Sequence, residues 1–246
     1  MSMTEKMPWA LVTGASGEIG QAIGTYLAEA GVPLYLHYNR SEHKLERLVH
    51  LCSERAVPCV KLQADLRDPG QIAAMFGQMS APPLLVVNNA SADHVGLFTD
   101  VSVETFDELV AMNVRSAFLV CQAALPAMLR ERYGRIVNVS SIWGLTGGSC
   151  EVLYSLTKGA INTFTKALAK EMAPNGITVN AVAPGAIRGG MMERFSPDEV
   201  EMIADEIPAN RLGDPREVAA VVRFLLSADA SYVTGQIISP NGGWYT

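Results

Sequence analysis

Thr13-Gly14-Ala15-Ser16-Gly17-Glu18-Ile19-Gly20 closes the apolar run Trp9 to Thr13 and opens directly into Gly20 to Ala30, where apolar residues recur at helical spacing. The stretch reads as strand, glycine-bearing turn and helix. Glycines in such a turn let the backbone approach a bound phosphate, and the free N–H groups and dipole of the helix start attract negative charge. An ordinary glycine-containing loop accounts for the turn equally well on its own, so its surroundings decide.

Those surroundings repeat the pattern. Further short β-rich runs lie at Leu34 to Tyr38, Cys59 to Gln63, Leu84 to Val87, Arg135 to Val139, Ile177 to Val182 and Gln236 to Ser239. Their lack of polar alternation is expected of parallel strands covered on both faces. Helical-period segments such as Glu42 to Arg55, Val103 to Arg130, Tyr154 to Met172 and Pro215 to Leu226 separate them. This order predicts an α/β fold, a single Rossmann-type domain over residues 1–246 with a doubly wound parallel sheet of about seven strands and helices on both faces. Gly185 to Asn210 breaks the rhythm with glycines, two methionines and Pro197 ahead of an acidic helix, and reads as a substrate lid.

Composition narrows the function. With 25 acidic against 19 basic residues and a net charge of -6, the chain is not suited to nucleic-acid phosphates. Its 49% hydrophobic content predicts an extensive interior or subunit contacts. The uncharged stretch Ser116 to Leu129 is too short to span a bilayer, and MSMTEKMPW carries no export signal, so a cytoplasmic location is expected. Cys52, Cys59, Cys121 and Cys150 lie far apart and read as reduced, mostly buried thiols, with no metal site expected.

Tyr154 and Lys158 are four residues apart on one helical face. An ammonium beside a phenol favours the phenolate, so such a pair can donate and recover a proton; alone, the two residues read more readily as a core-edge Tyr and a solvated Lys. Ser140 and Ser141 close a strand, where a hydroxyl points into the ligand crevice of such sheets or merely forms a turn.

Taken together, these motifs resemble the short-chain dehydrogenase/reductases over about 240 residues. Thr13 to Gly20 is similar to their cofactor turn, Asn88-Asn89-Ala90 to their fourth-strand motif, Tyr154 and Lys158 to their catalytic pair, and Pro184-Gly185 to the motif after the sixth strand. Ser141 and Asn113 stand where the family has its catalytic Ser and Asn. The resemblance implies carbonyl reduction in which Tyr154 protonates the oxygen, Ser141 hydrogen-bonds it, Lys158 depresses the Tyr154 pKa and Asn113 supports a water relay. It also implies cofactor contacts from Gly14, Ser16, Ile19, Gly20, Asn39, Arg40, Ser41, Asp65, Leu66, Asn89, Ala90, Pro184, Gly185 and Ile187, with Asp65 on the adenine.

The second strand ends in Asn39-Arg40-Ser41 with no acidic residue for a ribose hydroxyl, and a guanidinium with a hydroxyl suits a 2'-phosphate, so the expected cofactor is NADP(H). Glu18 replaces the family's middle turn glycine and is expected to point outward; Gly189 replaces a frequent Thr.

Within the family, the chain is most similar to 3-oxoacyl-acyl-carrier-protein reductases, and beyond them to a Bacillus-type branch acting on a 5-aminopentanone group carried by elongation factor P. Arg132 fits a carrier-protein patch, while Asn175 replaces its usual second base. Trp143 and Glu151 are the candidate substrate residues, with Glu151, helped by Asp93 or Glu193, receiving an ammonium unless it merely charges a helix start. A non-catalytic NADP-binding regulator and an alcohol or sugar dehydrogenase stand as alternatives. The resemblance and the uncharged helix face imply a homotetramer.

Overall fold

The computed structural model describes residues 7–246, the side chain of Met191 aside; most of the N-terminal stretch read for export signals lies outside them. Seven strands, β1 (Ala10–Val12), β2 (Leu34–Tyr38), β3 (Cys59–Gln63), β4 (Leu85–Asn88), β5 (Gly134–Val139), β6 (Ile177–Val182) and β7 (Ile237–Ile238), form one sheet in the order 3-2-1-4-5-6-7. Every pairing is parallel. The sheet is doubly wound, as its unalternating strands require.

Alternate side chains feed two cores. Ala10, Val12, Leu34, Leu36, Leu85 and Val87 face α1 (Glu18–Glu29), α2 (Glu46–Glu54) and, later in the chain, Pro215–Leu226. Leu11, Tyr35, Val86 and Ile136 face α3 (Pro69–Gly77), Ser116–Glu131 and Val152–Met172. Because β1 is flanked by β2 and β4, the chain reverses its winding there, opening a crevice at the strands' carboxyl ends.

The predicted helix Val103 to Arg130 is interrupted. α4 (Val103–Val110) passes through a π turn at Ala111–Arg115 into α5 (Ser116–Glu131), carrying Asn113 into the interior. Such a bulge lasts a single turn inside an otherwise continuous helix, which hides it from sequence reading. The whole segment, Val103–Glu131, is long and apolar enough to cross a membrane, contrary to the shorter span read above, but here its inner face packs on the sheet. After β5 come α6 (Trp143–Thr146) and α7 (Val152–Met172); after β6, α8 (Pro197–Glu206) and α9 (Pro215–Leu226). α8 is the acidic helix of the 185–210 segment, and Ser196 and Glu199 close a capping box at its start. Of the thiols, Cys52 and Cys121 are buried, Cys59 is half-buried and Cys150 is exposed, so the expectation of burial fails at the loop residue Cys150.

Candidate active site

A groove of about 1120 Å³ runs along the carboxyl ends of the strands. Gly14 turns the chain at φ +62°, and a Cβ there would lie 2.8 Å from the Ala90 Cα, so the turn after β1 approaches the loop after β4 this closely because the side chain is absent. The Asn89 amide donates to the Thr13 and Gly14 carbonyls at 3.0 Å each, locking the turn. His37, which the sequence reading passed over, accepts the Gly14 N–H on Nδ1 at 3.0 Å, while its Nε2 lies 3.0 Å from the Ala64 carbonyl. That pairing requires Nε2 to carry the hydrogen and donate it. Burial holds the His37 pKa below its ordinary value, which keeps Nδ1 an acceptor. α1 has no side-chain cap at Gly17, so its first N–H groups point at the groove. These features fit a dinucleotide phosphate.

Glu18 departs from expectation. Its carboxylate packs against the 185–210 segment, and a Cβ at Gly189 (φ +84°) would lie 2.8 Å from the Glu18 Cγ. The two departures from the family pattern are therefore one: the side chain gained at Glu18 occupies space that a residue larger than glycine would need at Gly189.

At the adenosine end, Asn39, Arg40 and Ser41 line the groove, but Asp65 and Leu66 do not. Leu66 buries its side chain in the core, and the Asp65 carboxylate is taken by Arg67, whose Nη2 donates to Oδ2 at 2.6 Å. Arg67 is the residue of this turn that faces the groove.

At the other end, Ser141, Tyr154 and Lys158 converge. Tyr154 and Lys158 project from the first two turns of α7, and the Lys158 Nζ lies 5.5 Å from the Tyr154 ring centroid and donates to the Val139 carbonyl at 2.9 Å. Lys158 is fully buried, and loss of hydration pulls its pKa down to about 8. Burial pushes the Tyr154 phenol well above its ordinary value, with the Ser141 hydroxyl opposing the rise. The net shift of Tyr154 in this cofactor-free protein is upward rather than the expected depression, because desolvation is the largest cause. Such a phenol stays protonated at neutral pH, the form a proton donor needs.

The Asn113 side chain is fully committed. Oδ1 accepts from Ser91 Oγ at 3.0 Å and the Ala92 N–H at 2.9 Å, and Nδ2 donates to the Ala92 carbonyl at 2.8 Å and Thr157 Oγ1 at 3.0 Å. It clamps the loop after β4 to α7. Pro184, Gly185 and Ile187 line the same wall.

Over the mouth, Arg194 pairs with Asp93 and, at 3.4 Å, with Glu151. Glu151 stands at the N-cap of α7 without a side-chain capping bond, and burial raises its pKa. The partner from the 185–210 segment is thus Arg194, whereas Glu193 is exposed and off the groove. Trp143 meets Trp244 edge-on with ring centroids 5.4 Å apart, adding a C-terminal aromatic that no motif announced. Arg132 lies before β5, at the opposite end of the sheet from this mouth, and donates to the Pro174 carbonyl. The expected basic half-patch is not at the entrance because parallel strands begin where Arg132 sits and end where the groove opens.

Residues 14–245 match the family profile described as enoyl-(acyl carrier protein) reductase. The chain is 49% identical over 237 residues to the uncharacterized oxidoreductase YmfI of Bacillus subtilis, covering 96% of this chain and 98% of that one. It is 37% identical over 252 residues to 3-oxoacyl-[acyl-carrier-protein] reductase FabG of Staphylococcus aureus, covering 100% of each. The crystal structure of a protein from Agrobacterium tumefaciens described as a "putative gluconate dehydrogenase" superposes with a TM-score of 0.91 at 27% identity, covering 96% of this chain and 95% of that one.

Proposed function

The chain belongs to the short-chain dehydrogenase/reductase family of nicotinamide-dependent oxidoreductases, and from that premise we propose that it is an NADPH-dependent reductase converting a ketone to a secondary alcohol. One observation carries this reading: Ser141, Tyr154 and Lys158 meet at one end of a groove whose other end presents Arg40 and Ser41. The bound cofactor supplies the hydride. Tyr154 delivers the proton to the developing alkoxide, and the Ser141 hydroxyl donates a hydrogen bond to the same oxygen. Lys158 orients the nicotinamide ribose, and Asn113 positions the wall of the site. Arg40→Ala is expected to cut the ratio of kcat/KM for NADPH over NADH about ten- to a hundred-fold, the size of a charge-assisted contact; an unchanged ratio removes Arg40 as a discriminator.

For the substrate, the acidic mouth favours a cationic ketone, the 5-aminopentanone group on elongation factor P. Asp93 and Glu151 outnumber Arg194, leaving one net negative charge among the three. A 3-oxoacyl thioester on an acyl carrier protein is the second reading, favoured by the full-length match to reductases of that name. Glu151→Gln separates them. It should lower kcat/KM for a cationic amino-ketone several-fold more than for a neutral ketone of equal length, and equal losses return the carrier-protein substrate to first place.

The proposed working form is a cytoplasmic homotetramer. Val103, Phe106, Phe118 and Leu156 on α4, α5 and α7 are exposed, and Phe118 packs beside Phe164 at 6.1 Å. Twofold helix-helix contacts would cover them. Light scattering should give four times the 26.4 kDa chain mass, and a stable monomer at micromolar concentration contradicts it.

A further inference from the structure

We infer that Arg67 determines the preference for a 2'-phosphorylated dinucleotide by holding the Asp65 carboxylate away from Arg40, an inference that rests on the NADPH reading above. The parallel register brings the two turns together. Tyr38 pairs with Gln63, and the Ala64 N–H donates to the Tyr38 carbonyl at 3.1 Å, so the chain after β3 continues beside Asn39 and Arg40. Asp65 thus stands next to the residue that should meet the phosphate. Left free, its carboxylate would pair with the Arg40 guanidinium and repel a phosphate dianion.

Arg67 prevents both. Its Nε donates to Asp65 Oδ1 at 3.0 Å and its Nη2 to Oδ2 at 2.6 Å, a bidentate arrangement, and its own N–H reaches Oδ1 at 3.0 Å. The Arg67 carbonyl is fixed in turn by Arg115 Nη2 at 2.7 Å. The Asp65 carboxyl is held down to about 2, with Arg67 the main cause and Arg40, in the adjoining turn, a lesser one. Glu42, close by, is already paired with Lys61. Two guanidiniums against one carboxylate leave a net positive charge facing the groove at Arg40 and Arg67. Sequence reading weighed Arg40 and Ser41 without Arg67, because the pairing of residues 65 and 67 depends on the turn before α3.

The test uses fragments and needs no turnover. Calorimetry on the whole protein compares 2',5'-ADP with 5'-AMP, which differ only in the 2'-phosphate. Wild type should prefer 2',5'-ADP, and Arg67→Leu should erode that preference about tenfold with 5'-AMP affinity held within about twofold, which also reports a folded site. The double variant Asp65→Asn/Arg67→Leu should recover most of the loss, since no carboxylate remains to be restrained. An unchanged preference in Arg67→Leu overturns the inference, and so does a double variant as weak as the single one, which would mean that Arg67 acts by touching phosphate. A wild type indifferent to the 2'-phosphate overturns the NADPH reading and this inference together.

Discussion

Tyr154→Phe should lower turnover with any ketone by about a thousand-fold, within the range of general acid effects, while dinucleotide affinity stays within about twofold. The substitution removes one hydroxyl and almost no contact area. The phenol is 6% exposed, and burial keeps it protonated, so no solvent group stands ready to replace it as donor. Stopped-flow absorbance of the reduced nicotinamide checks the rate, and fluorescence titration checks the affinity. A variant retaining more than about a tenth of the wild-type rate shows that Tyr154 is not the proton donor.

Lys158→Met should abolish activity and stabilise the cofactor-free protein. Folding carries Lys158 into an interior that pulls its pKa from 10.5 to about 8, a difference equal to roughly 3 kcal/mol in the cost of holding the proton. The unfolded chain binds more protons between about pH 8 and pH 10.5, so stability rises with pH across that window and the penalty is complete at pH 7. Met fills similar volume without the charge but gives up the bond to the Val139 carbonyl, so a net gain of about 1 to 3 kcal/mol is expected. Thermal unfolding at pH 7 should shift upward by about 2 to 10 °C in the variant, and the rise in stability between pH 8 and pH 10 should disappear. Turnover and cofactor affinity should both fall. A variant less stable than wild type at pH 7 contradicts the assigned cost of burying this ammonium.

The sheet was legible because parallel strands buried on both faces read as plain apolar runs, and Leu34–Tyr38, Cys59–Gln63 and Ile177–Val182 keep the predicted bounds. Residues whose place follows from a local motif were legible for the same reason: four residues on a helix put Tyr154 and Lys158 on one face whatever surrounds them. What escaped reading depends on contacts between distant segments. Arg194 reaches Asp93 across 101 residues, and Trp244 meets Trp143 from the chain's far end. His37 carried a local signal that was available, since a histidine inside the apolar run of β2 must find buried partners. Asp68 and Pro69 likewise announced α3 as N-cap and first helical residue, and with it the turn that holds Arg67. The rise in the Tyr154 pKa was not legible for a different reason. Burial penalises the phenolate itself, and spacing along a helix says nothing of how deeply the phenol is buried.

The central claim is that this groove moves a hydride from a reduced nicotinamide to a ketone carbon. Incubation with NADPH deuterated at the transferred position, using aminopentanone-modified elongation factor P and acetoacetyl carrier protein in parallel, tests it by mass spectrometry of the product. The account predicts one deuterium per alcohol formed on at least one of the two, matched by one cofactor oxidised. Tight binding of NADPH with no label transferred to either ketone, or to a simple amino-ketone, would contradict it and leave a nucleotide-binding protein without catalysis.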